Sequence, residues 1–392
     1  MNETRLPFVD YAAGPVLGRV VPSASLWSAG DLIPKPEDIQ LGYSRSTSLI
    51  SLTRTLSPLT LRRSHTWIKL NEPESHLDSI ADTVQTSGAL PTRFTAIGLT
   101  RKDLPLLALL AERGCTVANA SELEVDTDDI VSHQETISRP GDRRNDSGQV
   151  VDLVVARHIL EHTFDMVSFL RSLRKLIHSR GSILFEVPDA GVSIMDLNYS
   201  ELWEEHIHYF TKASLRSVLT RLGWHIVFLE SGISDGERIL VCLARSIPQE
   251  AMVAPDSRNG WTEGELAAAQ DFCTSIGLVR RLAAEQLAAA GGERVVFVGA
   301  NHCTSTMIDL VCASELDIAI VDDDPRKQDL LTSRRGILVQ DLVDVSLKAE
   351  DLVLVSINPA RSTNVMARIS QTRPTRGPMM FTSEWGVTQE KY

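Results

Sequence analysis

Long apolar runs are missing from this 392-residue chain. None approaches the ~18 residues that a membrane-spanning helix needs, so no span is expected. Paired cysteines are missing too. The five cysteines (Cys115, Cys242, Cys273, Cys303 and Cys312) are scattered, odd in number and form no C-x-x-C pair. That excludes a zinc framework of thiolate pairs and points to a reducing compartment. Positive charge is in deficit, with 39 Lys and Arg against 51 Asp and Glu, a net charge of −12 and a pI near 5.4. A nucleic-acid surface needs a basic face, so none is expected, although a local pocket on an acidic protein can still take a nucleotide. The opening stretch, MNETRLPFVDYAAG, has neither the basic region nor the apolar core of a secretory signal. The expectation is a cytoplasmic protein.

What is present is an ordinary globular composition, 43% hydrophobic and 23% charged. The length calls for two or three domains. Residues 1–85 are irregular, broken by Pro22, Pro34, Pro36, Pro58 and Pro73, and read as a small accessory module. LISLTRTL (49–56) has the look of a strand and ESHLDSIADTVQ (74–85) helical spacing. From residue 86 to 246 strands and helices alternate. FTAIGL (94–99), CTVANA (115–120), VVDLVVAR (150–157), SILFEVPD (182–189), WHIVFLESG (224–232) and RILVCLAR (238–245) read as strands. LPLLALLAERG (104–114), MVSFLRSLRKLIHS (166–179) and KASLRSVLTRLG (212–223) read as helices, with 126–149 as an exposed loop. Residues 247–292 are a polar linker followed by one long helix, and 293–392 form a second α/β unit. About 20 residues separate Gly299 from Asp322, the length of one βαβ half of a Rossmann-like unit. The fold class is α/β: a doubly wound sheet followed by a second Rossmann-like domain.

Two runs carry the chemistry. Residues 150–189 (VVDLVVARHILEHTFDMVSFLRSLRKLIHSRGSILFEVPD) and 202–210 (LWEEHIHYF) hold five of the ten histidines: His158, His162, His178, His206 and His208. The ends of parallel strands are where open α/β sheets build their sites, and an imidazole there titrates near neutral pH as a general base should. His158 and His162 stand at i and i+4, a spacing that can hold a metal on a helix, but no third ligand completes a set in sequence. No metal is expected. Glu205 beside His206 is the pairing that sets a tautomer, unless a strand puts the two on opposite faces.

Taken together, VVARHILEH, FLRSLRKLIHSRGSILFEVPD and WEEHIHYFTKASLRSVLTRLGWHIVFLESG resemble the middle of a known family. This is the S-adenosylmethionine (SAM)-dependent C-methyltransferases, which act on nucleotide-linked keto-deoxysugars. The likeness extends to GPVLGRVVPSASLWSAGDLIPKPEDIQLGYSRSTSLISLTRTLSP at the start and to VVFVGA, IAIVDDDPRKQ and LVLVSIN near the end. It implies a class I methyltransferase-like domain between an N-terminal module and a C-terminal Rossmann-like domain. It further implies that a base removes the proton beside a ketone and that the enolate attacks the sulfonium methyl. By motif position His162, Glu205 and His206 are the catalytic groups. Gly98, Asp103, Ala120 and Arg157 fall in the SAM site, and Trp203, Tyr209, Asp322, Lys327 and Asn358 in the substrate site.

The departures from the family form a pattern. Ser44 and Thr47 stand where the family has a zinc-binding C-x-x-C, so the module is expected to lack zinc. Trp203 replaces a tyrosine, Cys303 a lysine and Ala120 the ribose-binding acid, for which Glu122 is a substitute within reach. The glycine-rich SAM loop keeps only Gly98, with Arg101 and Lys102 in place of small residues. Three readings therefore stay open. They are a SAM-dependent C-methyltransferase, a SAM-independent keto-sugar epimerase or isomerase, and an inactive methyltransferase-like binding or scaffold protein.

Overall fold

A computed structural model describes residues 11–12, 17–19, 26–31, 37–57, 61, 74–118, 150–199, 202–234, 237–246, 262–290, 294–311, 316–332, 335–348, 351–357, 364–365, 367–369 and 379–381. The loop expected over 126–149, most of the linker before the long helix, Ala120, Glu122 and Asn358 lie outside the described residues.

Short strands come first: β1 (Tyr11–Ala12), β2 (Leu17–Arg19), β3 (Glu37–Ile39), β4 (Leu41–Tyr43) and β5 (Ile50–Leu52). Helix α1 (His76–Thr86) then buries Leu77, Ile80, Ala81 and Val84, the i, i+3, i+4, i+7 stripe of an amphipathic helix. The central unit runs β6 (Thr95–Gly98), α2 (Leu104–Glu112), β7 (Thr116–Val117), β8 (Val151–Arg157), a 3-10 turn Leu160–His162, α3 (Met166–Leu173), β9 (Ile177–Pro188), α4 (Gly191–Met195), β10 (His208–Tyr209), α5 (Lys212–Arg221), β11 (Trp224–Ser234) and β12 (Glu237–Ser246). Its six-stranded sheet has the order β11-β12-β9-β8-β6-β7. Strands β7, β6, β8 and β9 are parallel; β12 enters antiparallel between β9 and β11. This is the class I methyltransferase-like, Rossmann-like arrangement, with one antiparallel hairpin that the strand reading left unassigned. Chain order reverses between β6 and β8, so the switch point where such sheets bind ligands lies at the carboxyl ends of these two strands.

Helix α3 starts where Asp165 accepts from the Ser168 amide at 3.0 Å, and it buries Met166, Phe169, Leu170 and Leu173. It ends at Leu173, six residues before the end of the expected helix. Beyond it the Arg174 guanidinium binds the carbonyls of Leu222 and Gly223 and lies 4.8 Å above the Trp224 ring. Strand β9 then begins at Ile177. Val151 pairs with Ile177 but Leu153 with Ser182, so the residues between bulge out. Gly181 sits in that bulge, where a Cβ would lie 2.7 Å from Ile177 Cβ.

The expected long helix over 262–292 is two helices, α6 (Glu263–Thr274) and α7 (Ile276–Ala290), which meet at Ser275. The second sheet follows: β13 (Arg294–Val298), α8 (His302–Val311), β14 (Asp317–Val321), β15 (Leu331–Thr332), β16 (Ile337–Gln340), β17 (Leu352–Val355) and β18 (Met379–Phe381), in the order β15-β16-β14-β13-β17-β18. All its pairings are parallel except β15–β16. Gly299, at φ +108°, leads out of β13; a Cβ there would run into the Ser356 carbonyl.

The two sheets are not isolated. Strand β10, from the WEEHIHYF run, joins β1, β4 and β5 in a four-stranded sheet. Trp27 and Leu331 exchange both backbone hydrogen bonds, at 2.9 and 2.7 Å. One apolar core holds Tyr43 and Ile50 of the N-terminal strands, Tyr199 and Leu202, Phe272 of α6, and Phe297 and Ile308 of the second unit. The WEEHIHYF segment is thereby packed between the two α/β units.

Candidate active site

Strand β8 delivers Arg157, then His158 in the left-handed region at φ +47°, then the turn that carries Glu161 and His162. A non-glycine residue held there stores strain that its surroundings offset. Here the His158 amide donates to the Glu186 carbonyl at 2.8 Å, and its Nε2 lies 2.9 Å from Glu186 Oε1. The turn is stitched to the WEEHIHYF segment twice. The Ile207 amide donates to the Glu161 carbonyl at 2.8 Å, and His162 Nδ1 lies 2.7 Å from the Glu205 carbonyl. A carbonyl only accepts, so Nδ1 carries a proton, and in the tautomer this fixes the lone pair of a neutral ring is at Nε2.

Around His162 the aromatic rings converge. The His206 ring centroid is 4.9 Å away and edge-on, and Trp203 is 4.8 Å from His206. Trp203 in turn stacks on His302 of α8 at 5.0 Å and 17°. The Tyr209 hydroxyl accepts from the Trp203 amide at 3.0 Å and donates to its carbonyl at 2.9 Å, which clamps the tryptophan backbone. Burial, together with the positive charge of His302 and His158, pushes the His206 pKa down to about 3. His208 belongs to another environment. It is buried, takes a hydrogen bond at Nδ1 from Ser51 Oγ (2.8 Å) and donates from Nε2 to the Thr163 carbonyl (2.9 Å), a pairing that ties β10 to β5. Burial pushes its pKa down to about 4.

The residues expected in the SAM site are drawn into the fold. Gly98 ends β6 and is buried. The Asp103 carboxylate is fully buried and accepts from the amides of Leu99 (2.7 Å), Thr100 (2.9 Å) and Arg157 (2.9 Å). Burial raises its pKa to about 6, against the pull of those amides and of the Arg157 charge. The Arg157 side chain is likewise fully buried. Its Nε and Nη2 bind Glu186 at 3.1 and 3.0 Å, Nη2 binds Glu74 at 2.8 Å, and Nη1 donates to the Lys102 carbonyl at 2.6 Å. Burial on its own would lower the arginine pKa and raise that of Glu186; their mutual attraction, with His158 and His76 on Glu186, reverses both. Asp103 and Arg157 therefore shape the loop after β6 and meet one another there.

In the second unit Asp322 Oδ2 accepts from the Ala300 amide (2.8 Å) and from Lys327 Nζ (2.8 Å), and Lys327 also donates to the Ala300 carbonyl (3.1 Å). The pair latches the β13–α8 loop, two residues before His302. Around Ser44 the bonds are local: Ser44 Oγ lies 3.0 Å from Ser46 Oγ, and the Ser48 amide returns to the Ser44 carbonyl at 2.8 Å.

Two residues of the cluster have no role in the sequence reading. Glu161 is one of the acids of the two runs, yet it is 1% exposed and one of its oxygens lies within 4 Å of both imidazoles. His302 sits after β13 at the start of a helix, the position that a strand-to-helix pattern marks as functional.

Residues 100–229 match the family described as Methyltransferase domain. This segment is methyltransferase-like. No curated protein matches the chain in sequence. Among solved structures, the chain is similar to 1,6-didemethyltoxoflavin-N1-methyltransferase of Burkholderia thailandensis, which was determined with 1,6-didemethyltoxoflavin and S-adenosylhomocysteine. Identity is 14%, coverage 45% of this chain and 80% of that one, and the TM-score 0.31. It is also similar to magnesium protoporphyrin IX methyltransferase of Synechocystis with bound S-adenosylhomocysteine, at 15% identity, 44% and 83% coverage and a TM-score of 0.29. No helix among the described residues is long and apolar enough to cross a membrane.

SAM is the cofactor that this fold implies. The donor set fits it at one point: Glu161, one turn beyond β8, is a buried carboxylate whose oxygens accept no hydrogen bond, and such a group suits a cationic ligand. SAM carries positive charge at its sulfur and its amino group. Ala120, expected at the ribose, lies outside the described residues.

Proposed function

We propose that this chain is a SAM-dependent C-methyltransferase whose substrate is a nucleotide-linked keto-sugar or a similar carbon acid. The observation that carries the reading is the pairing of His162 with His206, brought to 4.9 Å beside the switch point of a methyltransferase-like sheet. Bound SAM supplies the electrophilic methyl group. The chain's residues handle the proton and the enolate.

The two imidazoles differ in the way such a reaction needs. His162, its Nδ1 proton held by the Glu205 carbonyl, presents a basic Nε2 and acts as the general base. His206 is the weaker base, since its conjugate acid is held down to about 3. A neutral imidazole of that kind donates a hydrogen bond to a developing enolate oxygen, and it replaces the phenol that Trp203 lacks. Trp203, stacked on His302, forms a flat wall for the sugar ring. Glu205 acts through its carbonyl by fixing the tautomer of His162. Asp322 and Lys327 act at a distance by holding the loop before His302.

One observation favours a second reading, a SAM-independent epimerase or isomerase. Asp103 already accepts from both amides that leave β6, which takes two donors from a cofactor carboxylate. Calorimetry with SAM separates the two readings. Saturable heat supports methyl transfer; solvent-deuterium uptake into a 4-keto sugar nucleotide by protein that gives no heat with SAM supports the second.

A further inference from the structure

The same turn adds a buried carboxylate, Glu161, to the two imidazoles of the proposed function. One ligand atom from each of Glu161, His162 and His206 lies within 4.8 Å of the others, and Glu161 Oε1 is 3.9 Å from His162 Nε2. We propose that Glu161, His162 and His206 bind a divalent transition-metal ion, with the carboxylate and the two imidazole nitrogens as its protein ligands.

Three features support the assignment. The first is the state of Glu161, whose oxygens are buried and accept no hydrogen bond. His158 Nδ1 approaches Oε1 only to 3.6 Å, an ion-pair contact too long for a hydrogen bond. A buried carboxylate in that condition is costly unless a cation meets it. The second is the tautomer of His162. Its Nδ1 proton is fixed on a backbone carbonyl and its Nε2 lone pair is presented toward Glu161, the outer-shell pattern of metal-binding histidines. The third is rigidity, because backbone hydrogen bonds join the two segments, Ile207 to Glu161 and His206 to Trp203 (3.0 Å).

Two imidazoles with one carboxylate suit zinc, cobalt, nickel or ferrous ions and leave coordination positions open. Nitrogen and oxygen ligands sit about 2.0–2.2 Å from such ions, so the three groups have to close by about an ångström around the metal. His206 is half-buried, which leaves a path for the ion.

The proposal draws on the same two imidazoles as methyl transfer and constrains it. A metal engages the Nε2 lone pair that the base needs, so the metal-loaded and proton-abstracting states exclude each other at His162. The test is titration of tag-free, chelator-treated protein with Co2+, read by visible absorption, and with Zn2+, read by calorimetry. One equivalent is expected to bind, with affinity at least tenfold lower in Glu161→Gln and in His206→Gln. Thermal unfolding of each metal-free variant separates lost ligation from lost folding, and His206→Gln, altered at a half-buried ring, is the variant expected to fold normally. Absence of a stoichiometric Co2+ band in the wild type, or binding unchanged in both variants, overturns the proposal and leaves Glu161 as the counter-ion of His158. SAM binding measured on the same metal-free protein reports on methyl transfer separately.

Discussion

The Nδ1 proton of His162 is held by the backbone carbonyl of Glu205, 2.7 Å away and 43 residues later in sequence. Adjacency in sequence pairs the carboxylate of Glu205 with the imidazole of His206. The contact seen is made by its main chain.

That difference predicts unequal effects of two substitutions. Glu205→Gln keeps the carbonyl and is expected to reduce activity by less than about tenfold, whereas His162→Gln removes the base and loses ~10²–10⁴-fold. Steady-state rates of the two variants, compared at equal folded fraction, check the contrast.

The buried cluster of Arg157, Glu186 and Glu74 predicts a stability effect. Arg157→Met leaves Glu186 without its guanidinium partner and is expected to cost about 3–5 kcal/mol in urea unfolding. Arg157→Lys should recover only part of this, because a single ammonium does not reproduce the fork on Glu186.

Stability should depend on pH from both sides. The His158 pKa is raised from 6.5 to about 9, despite burial, by Glu161 and Glu186. Its contribution, about 3 kcal/mol, is fully present below pH 6.5 and is lost as pH rises through 9. His206 and His208 are lowered to about 3 and 4, chiefly by burial. Their contribution is present above pH 6.5 and is lost as pH falls through those values. Thermal unfolding against pH should therefore show an alkaline limb that His158→Gln flattens and an acid limb that it leaves in place.

Gly299→Ala tests the second unit. The φ of +108° and the nearby Ser356 carbonyl leave no room for a methyl group, so the variant is expected to unfold earlier in a thermal melt by several degrees.

Sequence periodicity located most of this fold, because buried strands such as β8 and amphipathic stripes such as that of α1 announce themselves locally. It failed where a distant group decided the outcome. Helix α3 stops short because Arg174 is drawn to the carbonyls after α5, a contact across about fifty residues. The break at Ser275 falls in Cys273–Gly277, a run of weak helix formers too short to interrupt the apolar spacing on either side. The site was legible as a set of residue types, and His162 and His206 do meet. The roles of their neighbours were less legible: Arg157 and Asp103 look like ligand-binding groups in sequence and are consumed by internal hydrogen bonds, whereas Glu161 looked incidental. Which hydrogen bonds a polar residue makes depends on how the elements pack.

The central claim is tested most directly by incubating the protein with methyl-labelled SAM and a 4-keto-6-deoxy sugar nucleotide, then following the label by mass spectrometry and NMR. The account predicts one labelled methyl on the carbon beside the ketone, formed by the wild type and not by His162→Gln. Solvent deuterium at that carbon without any transferred methyl, from a protein that gives no heat with SAM, would contradict it.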